Sequence, residues 1–283
     1  MAGLTDQVVL VTGCSSGIGR ALAREFARSG HRTFASARRV AALSELEGDR
    51  LHGVELDVTS EASIDAALKT IVTETGRIDI VVNNAGFNVF GPLAEVPIER
   101  VRHLFDTNVV APLALIQKVF PGMAARGSGR IVNIESVVGE LPTPFAGAYC
   151  ASKAALHMLS DVLRMEVAPF GIDVISVMPA AVRSNIAAAG SVGLERYAAA
   201  DSRYRAVHRQ IEQRAQASQV DPMDTDEFAA RLVALVTRRS PPRVVRLGNG
   251  ATVLTTLGRL PGPVLDRVMH RRFGLGRLGR TPA

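Results

Sequence analysis

A chain of 283 residues with 47% apolar and 21% charged side chains is long enough for a large α/β domain and too apolar for a disordered segment. Two cysteines and six scattered histidines, without Cys-x-x-Cys or His-x-x-His spacing, give no disulfide framework and no metal site. The formal charge of +6 is uneven: residues 238–283 hold ten arginines against one acid, Asp266, so the basicity belongs to the tail.

Val8-Val9-Leu10-Val11-Thr12 is a short, β-branched apolar run, the pattern of a buried strand in a parallel sheet. Gly13-Cys14-Ser15-Ser16-Gly17-Ile18-Gly19 follows at once, and then the helical pattern 21–27. Strand, glycine-rich turn and helix in that order let backbone approach a pyrophosphate at a helix N-terminus. The spacing is Gly-x-x-x-Gly-x-Gly, not the commoner Gly-x-Gly-x-x-Gly. Gly13, Ser15, Ser16, Gly17, Ile18 and Gly19 are therefore candidate cofactor contacts. A second strand, 32–37, ends in Arg38-Arg39. About twenty positions past the glycine motif, a carboxylate would hold the adenosine ribose and an arginine would accept a 2′-phosphate. Arg38 stands there and no acid does, which favours NADP over NAD as cofactor; two solvated arginines are the alternative.

Further strands are expected at 51–55, 78–83, 130–134, 173–178 and 243–247, with helices at 63–75, 98–106, 111–125, 149–168 and 226–237. This alternation predicts a single doubly wound α/β domain, with about seven parallel strands and helices on both faces. Its cofactor site falls at the carboxyl ends of the strands, at the topological switch. The domain is expected to span 1–250. Residues 185–220, with apolar side chains at helical spacing among five arginines, form either a helical lid over the substrate or a surface helix pair. Residues 251–283 form a basic extension. Its apolar residues, Leu257, Leu260, Val264, Leu265, Met269 and Phe273, could dock peripherally on a membrane, pack on the body or pair with another subunit. It has no aromatic stacking series for nucleic acid. No apolar stretch approaches the ~18 residues of a membrane span, and the first apolar run is needed as a strand, not a signal peptide. Cys14 and Cys150 read as small fillers suited to a reducing cytoplasm.

Tyr149-Cys150-Ala151-Ser152-Lys153 carries the chemistry. Four residues apart on a helix, Tyr149 and Lys153 share a face. A free phenol titrates near pH ~10 and is a poor acid–base group at neutrality. A fixed ammonium beside it is expected to lower that value and let the phenol exchange a proton with a substrate oxygen.

Taken together, Thr12-Gly13-x-x-x-Gly17-Ile18-Gly19, Asp57-Val58, Asn83-Asn84-Ala85-Gly86, Asn108, Ser136, Tyr149-x-x-x-Lys153 and Pro179-x-x-Val182-x-Ser184 resemble the short-chain dehydrogenase/reductase family in order and spacing. The resemblance covers roughly residues 5 to 250. It implies that Tyr149 is the acid in reduction and the base in oxidation. Lys153 would hold the nicotinamide ribose, Ser136 would position the reacting oxygen, and Asn108 would support a relay water. It also implies that Asp57 and Val58 touch adenine, and that Asn84, Ala85 and Gly86 line the adenosine side. Pro179, Val182 and Ser184 would lie at the nicotinamide end. Two departures stand out: Ala180 where glycine is usual after Pro179, and Glu135 where a small residue is common. Strand alternation turns Glu135 away from Ser136.

Residues 139–153 look most like the acyl-dihydroxyacetone-phosphate reductase branch, and hydroxysteroid and retinol dehydrogenases share much of that text. The resemblance thus implies an NADP-dependent oxidoreductase that moves hydride between nicotinamide and a carbonyl or alcohol of a lipophilic substrate. It also implies a homo-oligomer, dimer or tetramer, formed through the helix that carries Tyr149. The alternative is a sensor or scaffold that keeps the fold and the NADP(H) but not the chemistry.

Overall fold

The computed structural model describes residues 4–46 and 48–279; Arg280, the last of the tail arginines, lies outside them. Seven strands form one sheet: β1 (Val8–Val11), β2 (Arg32–Ala37), β3 (Leu51–Glu55), β4 (Ile80–Asn83), β5 (Gly129–Ile134), β6 (Ile172–Pro179) and β7 (Val244–Leu247). Their order is β3-β2-β1-β4-β5-β6-β7, and every pair is parallel. The strands begin and end within two residues of the expected limits.

The apolar runs are explained by burial on both faces. Val9 and Val11 point into one core while Val8 and Leu10 point into the other, and Val82 and Val81 of β4 divide in the same way. Helices α1 (Gly17–Arg28) and α8 (Thr225–Val236) cover the first face through Leu22, Phe26, Phe228 and Leu232. Helices α2 (Glu61–Thr75) and α4 (Ala111–Arg126) cover the second through Ile64, Ile71, Leu115 and Met123. Helix α2 starts on the Ser60 hydroxyl, which accepts from Ser63 N, and stops at Gly76 with φ +76°.

Helix α3 (Ile98–Phe105) does not end before α4. The residues 106–110 join them as one π-helical turn, so 98–126 is a single helical rod. Its 29 residues are long and apolar enough by composition to cross a membrane, which corrects the expectation that no such stretch exists. Asp106, Thr107 and Asn108 broke the apolar run in the sequence and hid its length. In the fold its inward side chains, from Leu104 to Met123, belong to buried clusters.

Helix α5 (Gly147–Val167) runs beside β6. Beyond β6 come α6 (Ile186–Gly190) and α7 (His208–Gln216), separated by short 3₁₀ turns, and the tail folds into α9 (Ala251–Gly258) and α10 (Gly262–Phe273). Lid and tail share a third core. Leu265, Met269 and Phe273 of α10 pack with Tyr197 and Ile211 of the lid and with Phe90, Leu141 and Phe145. The Phe145 and Phe273 rings meet edge to face, with centroids 5.8 Å apart. Leu257 and Leu260 lean on the same cluster, while Val264 remains 42% exposed. Of the three fates open to the tail's apolar residues, packing on the body is the one observed for Leu265, Met269 and Phe273. Burial of that face of α10, with Arg267, Arg271 and Arg272 turned to solvent, is the physical reason.

Truncating Phe273 to alanine removes a ring from this shared core. The expected cost is about 3 kcal/mol of stability by denaturant unfolding. A tail held only by surface contacts would lose no more than about 0.5 kcal/mol, and that outcome would refute the packing role.

Candidate active site

Thr12 follows β1 directly, and its side chain organises the switch point. Its Oγ1 accepts from the backbone N–H of Asn84 and of Ala85, both at 2.9 Å, and donates to the Val82 carbonyl at 3.2 Å. The Asn84 amide returns the contact, donating to the Thr12 carbonyl at 2.8 Å and the Gly13 carbonyl at 3.2 Å. The glycine turn is therefore packed directly against the loop after β4. A Cβ on Gly13, where φ is +72°, would sit 2.8 Å from the Ala85 Cα; one on Gly19 would sit 2.4 Å from the Asn84 amide nitrogen. Gly17, at φ +57°, opens α1 and lies beside Ser184. Ser16 precedes the helix without capping it through its side chain, and the first turn carries no acid. Its N–H groups are thus left for an anion. Ser15 is exposed and Ile18 leans on the core below. Cys14 is a buried filler, as expected, with its backbone N–H bonded to the Ser36 carbonyl at 2.7 Å.

Arg38 and Arg39 are exposed where β2 ends, and neither forms an ion pair among the described residues. Asp57, which accepts from the Thr59 N–H at 3.0 Å and the Thr59 hydroxyl at 2.7 Å, stands close by. Those bonds hold its carboxyl below the usual range, with a smaller contribution from the Arg38 charge. Val58 is half-buried behind it. A groove with an anion-ready helix end, a glycine cradle and free guanidinium groups fits a phosphorylated dinucleotide.

On the other side of the switch point, Ser136 follows β5. Its hydroxyl receives the Val138 N–H at 3.4 Å and lies 3.5 Å from the Pro179 carbonyl at the end of β6. Tyr149 and Lys153 stand one turn apart on α5, both buried, with the Lys153 ammonium 5.7 Å from the Tyr149 ring centre. Asn108 reaches in from the π turn. Its Oδ1 accepts from Phe87 N at 3.1 Å, and its Nδ2 donates to Phe87 O at 3.0 Å and to Ser152 Oγ at 3.1 Å. Ser152 in turn donates to the Tyr149 carbonyl at 2.8 Å. Asn108 thereby clamps the loop after β4 to the helix that bears Tyr149. Gly86 leaves space between them: a Cβ there would stand 3.0 Å from Asn108 Oδ1 and 3.7 Å from Lys153 Nζ. Glu135 points the other way, as expected, and meets His157 Nδ1 at 2.8 Å.

Residues 7–195 match the family described as short chain dehydrogenase. The chain is a short-chain dehydrogenase. It is 33% identical to the short-chain dehydrogenase RED1 of Pyricularia oryzae over 279 residues, covering 98% of both chains. Among solved structures it resembles a short-chain dehydrogenase from Streptomyces avermitilis, with TM-score 0.79 and 34% identity over 96% of this chain and 98% of that one. It also resembles a metagenomic short-chain oxidoreductase in complex with NADP, with TM-score 0.67 and 28% identity over 86% of this chain and 97% of that one. A 3-ketoacyl-(acyl-carrier-protein) reductase from Brucella melitensis complexed with NADH shares the fold, with TM-score 0.70 and 23% identity over 85% and 96%.

In the loop after β6, Val182 buries its side chain in the sheet core. Gln219, which the sequence did not single out, clips that loop: its Oε1 accepts from Ser184 N at 3.1 Å, and its Nε2 donates to Val182 O at 3.3 Å. Thr12 was read only as part of a motif. Its signal was a hydroxyl at the last position of an otherwise apolar run.

Burial dominates the electrostatics of the Tyr149 and Lys153 pair. Burial raises the Tyr149 phenol to about 12, against the pull of the Ser136 hydroxyl and of Arg214. Burial also lowers Lys153 to about 8, while Glu135 opposes the shift. The ammonium donates to the Ile134 carbonyl at 2.8 Å. Both groups suffer the same desolvation, which disfavours either charge.

In the free protein, the ultraviolet difference titration between wild type and Tyr149→Phe should show no Tyr149 phenolate at about pH 10, where an open phenol is half ionised. Half-ionisation of Tyr149 at or below that pH would refute the burial argument.

Proposed function

We propose that this dehydrogenase uses NADP(H) to interconvert a carbonyl and an alcohol on a lipophilic substrate, with Tyr149 as acid and base. The observation that supports this most is the convergence of Ser136, Tyr149 and Lys153 beside the space at Gly86. The bound nicotinamide supplies or accepts the hydride. Tyr149 gives its proton to the carbonyl oxygen in reduction and takes it back in oxidation. Ser136 Oγ holds that oxygen in place. Lys153 would hold the nicotinamide ribose, and Asn108 would support the relay beyond it. Positive charge on the cofactor side favours the phenolate and offsets the burial that raises it. The surroundings of Tyr149, with Val89, Leu104 and Ala148 buried and Ile186 and Val101 beside them, suit an apolar substrate body. The intact catalytic set leaves a sensor or scaffold role without a supporting observation.

For the cofactor, Arg38 supports NADP through its unpaired position after β2. Tyr149→Phe is expected to lower kcat by about 100-fold or more while NADPH binding stays largely intact. Arg38→Ala is expected to weaken NADPH binding by about tenfold or more, with NADH little changed. Substantial turnover by Tyr149→Phe would remove the mechanism. Tighter binding of NADH than of NADPH by the wild type would remove the cofactor assignment.

A second copy of the chain is the proposed partner for α5. Met158 and Met165 are 63% and 62% exposed and, with Val162 between them, form an apolar stripe on the outer face of that helix. Sedimentation should find a dimer or tetramer, and glutamates at Met158 and Met165 should dissociate it. A monomeric wild type would end this reading.

A further inference from the structure

The lid carries a cation that nothing in the fold neutralises. Arg214, on α7, is only 9% exposed. It forms no ion pair and no side-chain hydrogen bond among the described residues, and its Nε is fully enclosed without an acceptor. A buried guanidinium stays charged, so it ordinarily comes with a carboxylate. Among the described residues none of the lid segment's acids, Glu195, Asp201 and Glu212, pairs with Arg214; Glu212 lies 3.8 Å from His208, and Glu95, outside the segment, accepts from Ser202 and from Arg203 N. What Arg214 does touch is the face of Phe90, with its Cζ 5.6 Å from the ring centre. That contact compensates a cation only in part.

The groups nearest in charge to Arg214 are Cys150 and Tyr149. Burial raises both of them, so neither offers an anion at neutral pH. Arg214 therefore lies within electrostatic reach of the proposed catalytic hydroxyl. Asn88 Oδ1 also has no hydrogen-bond partner among the described residues, and the Asn88 Cβ and the Phe90 ring on which Arg214 rests both lie against Gly190. An unpartnered cation on an apolar ring, with a second unpartnered polar group two residues from that ring, suits a polar head on a lipophilic body.

We propose that Arg214 is the anchor for an oxyanion, a carboxylate or a phosphate, carried by the carbonyl substrate, with Asn88 as its neutral companion. The substrate is then an acidic lipophilic ketone or hydroxy compound rather than a neutral one. This inference rests on the catalytic reading above. Arg214 presents a planar fork that can grip two oxygens of such a group at once. Binding a charge there would also complete the lid, since the substrate would supply the anion that α7 lacks.

The test compares matched substrates with NADPH: a β-keto fatty acid against its methyl ester, and an acyl-dihydroxyacetone phosphate against its dephosphorylated form. In the wild type, the kcat/KM ratio of acid to neutral partner should exceed about 10 for at least one pair, and that pair distinguishes carboxylate from phosphate. In Arg214→Met the ratio should fall about 10- to 100-fold, with most of the loss in KM, and Arg214→Lys should recover part of it. The ratio is internal to each protein, so a loss of folded material does not alter it. A wild-type ratio near one for both pairs, or an equal loss on acid and ester in Arg214→Met, overturns the proposal. Calorimetric binding of the saturated fatty acid to the NADP-loaded protein reads the anion site without turnover. Binding that is undiminished by Arg214→Met overturns the site even if ketones are reduced. Binding that depends on Arg214, with no ketone reduced, upholds the site while the catalytic reading falls.

Discussion

The hydroxyl of Thr12 fastens the two strands between which the sheet reverses direction. Strands β1 and β4 are neighbours, yet the chain passes outward from them to opposite edges, so their carboxyl ends separate into a crevice. Thr12 Oγ1 bridges that crevice at its base by accepting two successive N–H groups from the loop after β4. The glycine turn then has no freedom to accept side chains, because Gly13 and Gly19 lie against Asn84 and Ala85 at contact distance. The same loop is held on its far side by Asn108 and, through Ser152, by the helix that carries Tyr149. Cofactor cradle and catalytic helix are therefore parts of one hydrogen-bonded unit.

That unit surrounds groups whose charges are expensive to bury. Tyr149, Lys153 and Arg214 all lie inside, and the shifts of all three are dominated by loss of water. Lys153 donates to the Ile134 carbonyl, whereas the Nε of Arg214 has no acceptor among the described residues. Such arrangements lower stability, and a fold retains them where function needs them. The direction of each shift also states what a ligand would contribute: charge on the cofactor side and an anion on the lid side both favour the ionised forms that burial opposes.

The third core accounts for the uneven charge of the chain. Helix α10 turns Leu265, Met269 and Phe273 inward against the lid and keeps its arginines outside. The tail is thus a structural cover for residues 185–220. Arg246 of β7 reinforces the same region by pairing with Glu140, the residue just before the 141–145 segment that enters this core.

Local chemistry was enough to read the strands, the glycine turn, the pair Tyr149 and Lys153, and the outward face of Glu135, because each rests on spacing within a few residues. The sheet's period of two and the helix's turn of four place those side chains whatever the rest of the chain does. The distance-dependent facts were not legible. Whether Lys153 acidifies Tyr149 depends on burial by segments far apart in sequence, and that burial opposes the charge on each. The fate of the tail, the side chain of Val182, the clip made by Gln219 and the isolation of Arg214 all depend on which surfaces meet. Sequence spacing determines which face a residue occupies; only tertiary packing decides whether that face meets water, apolar side chains or a partner of opposite charge, and desolvation makes that difference decisive.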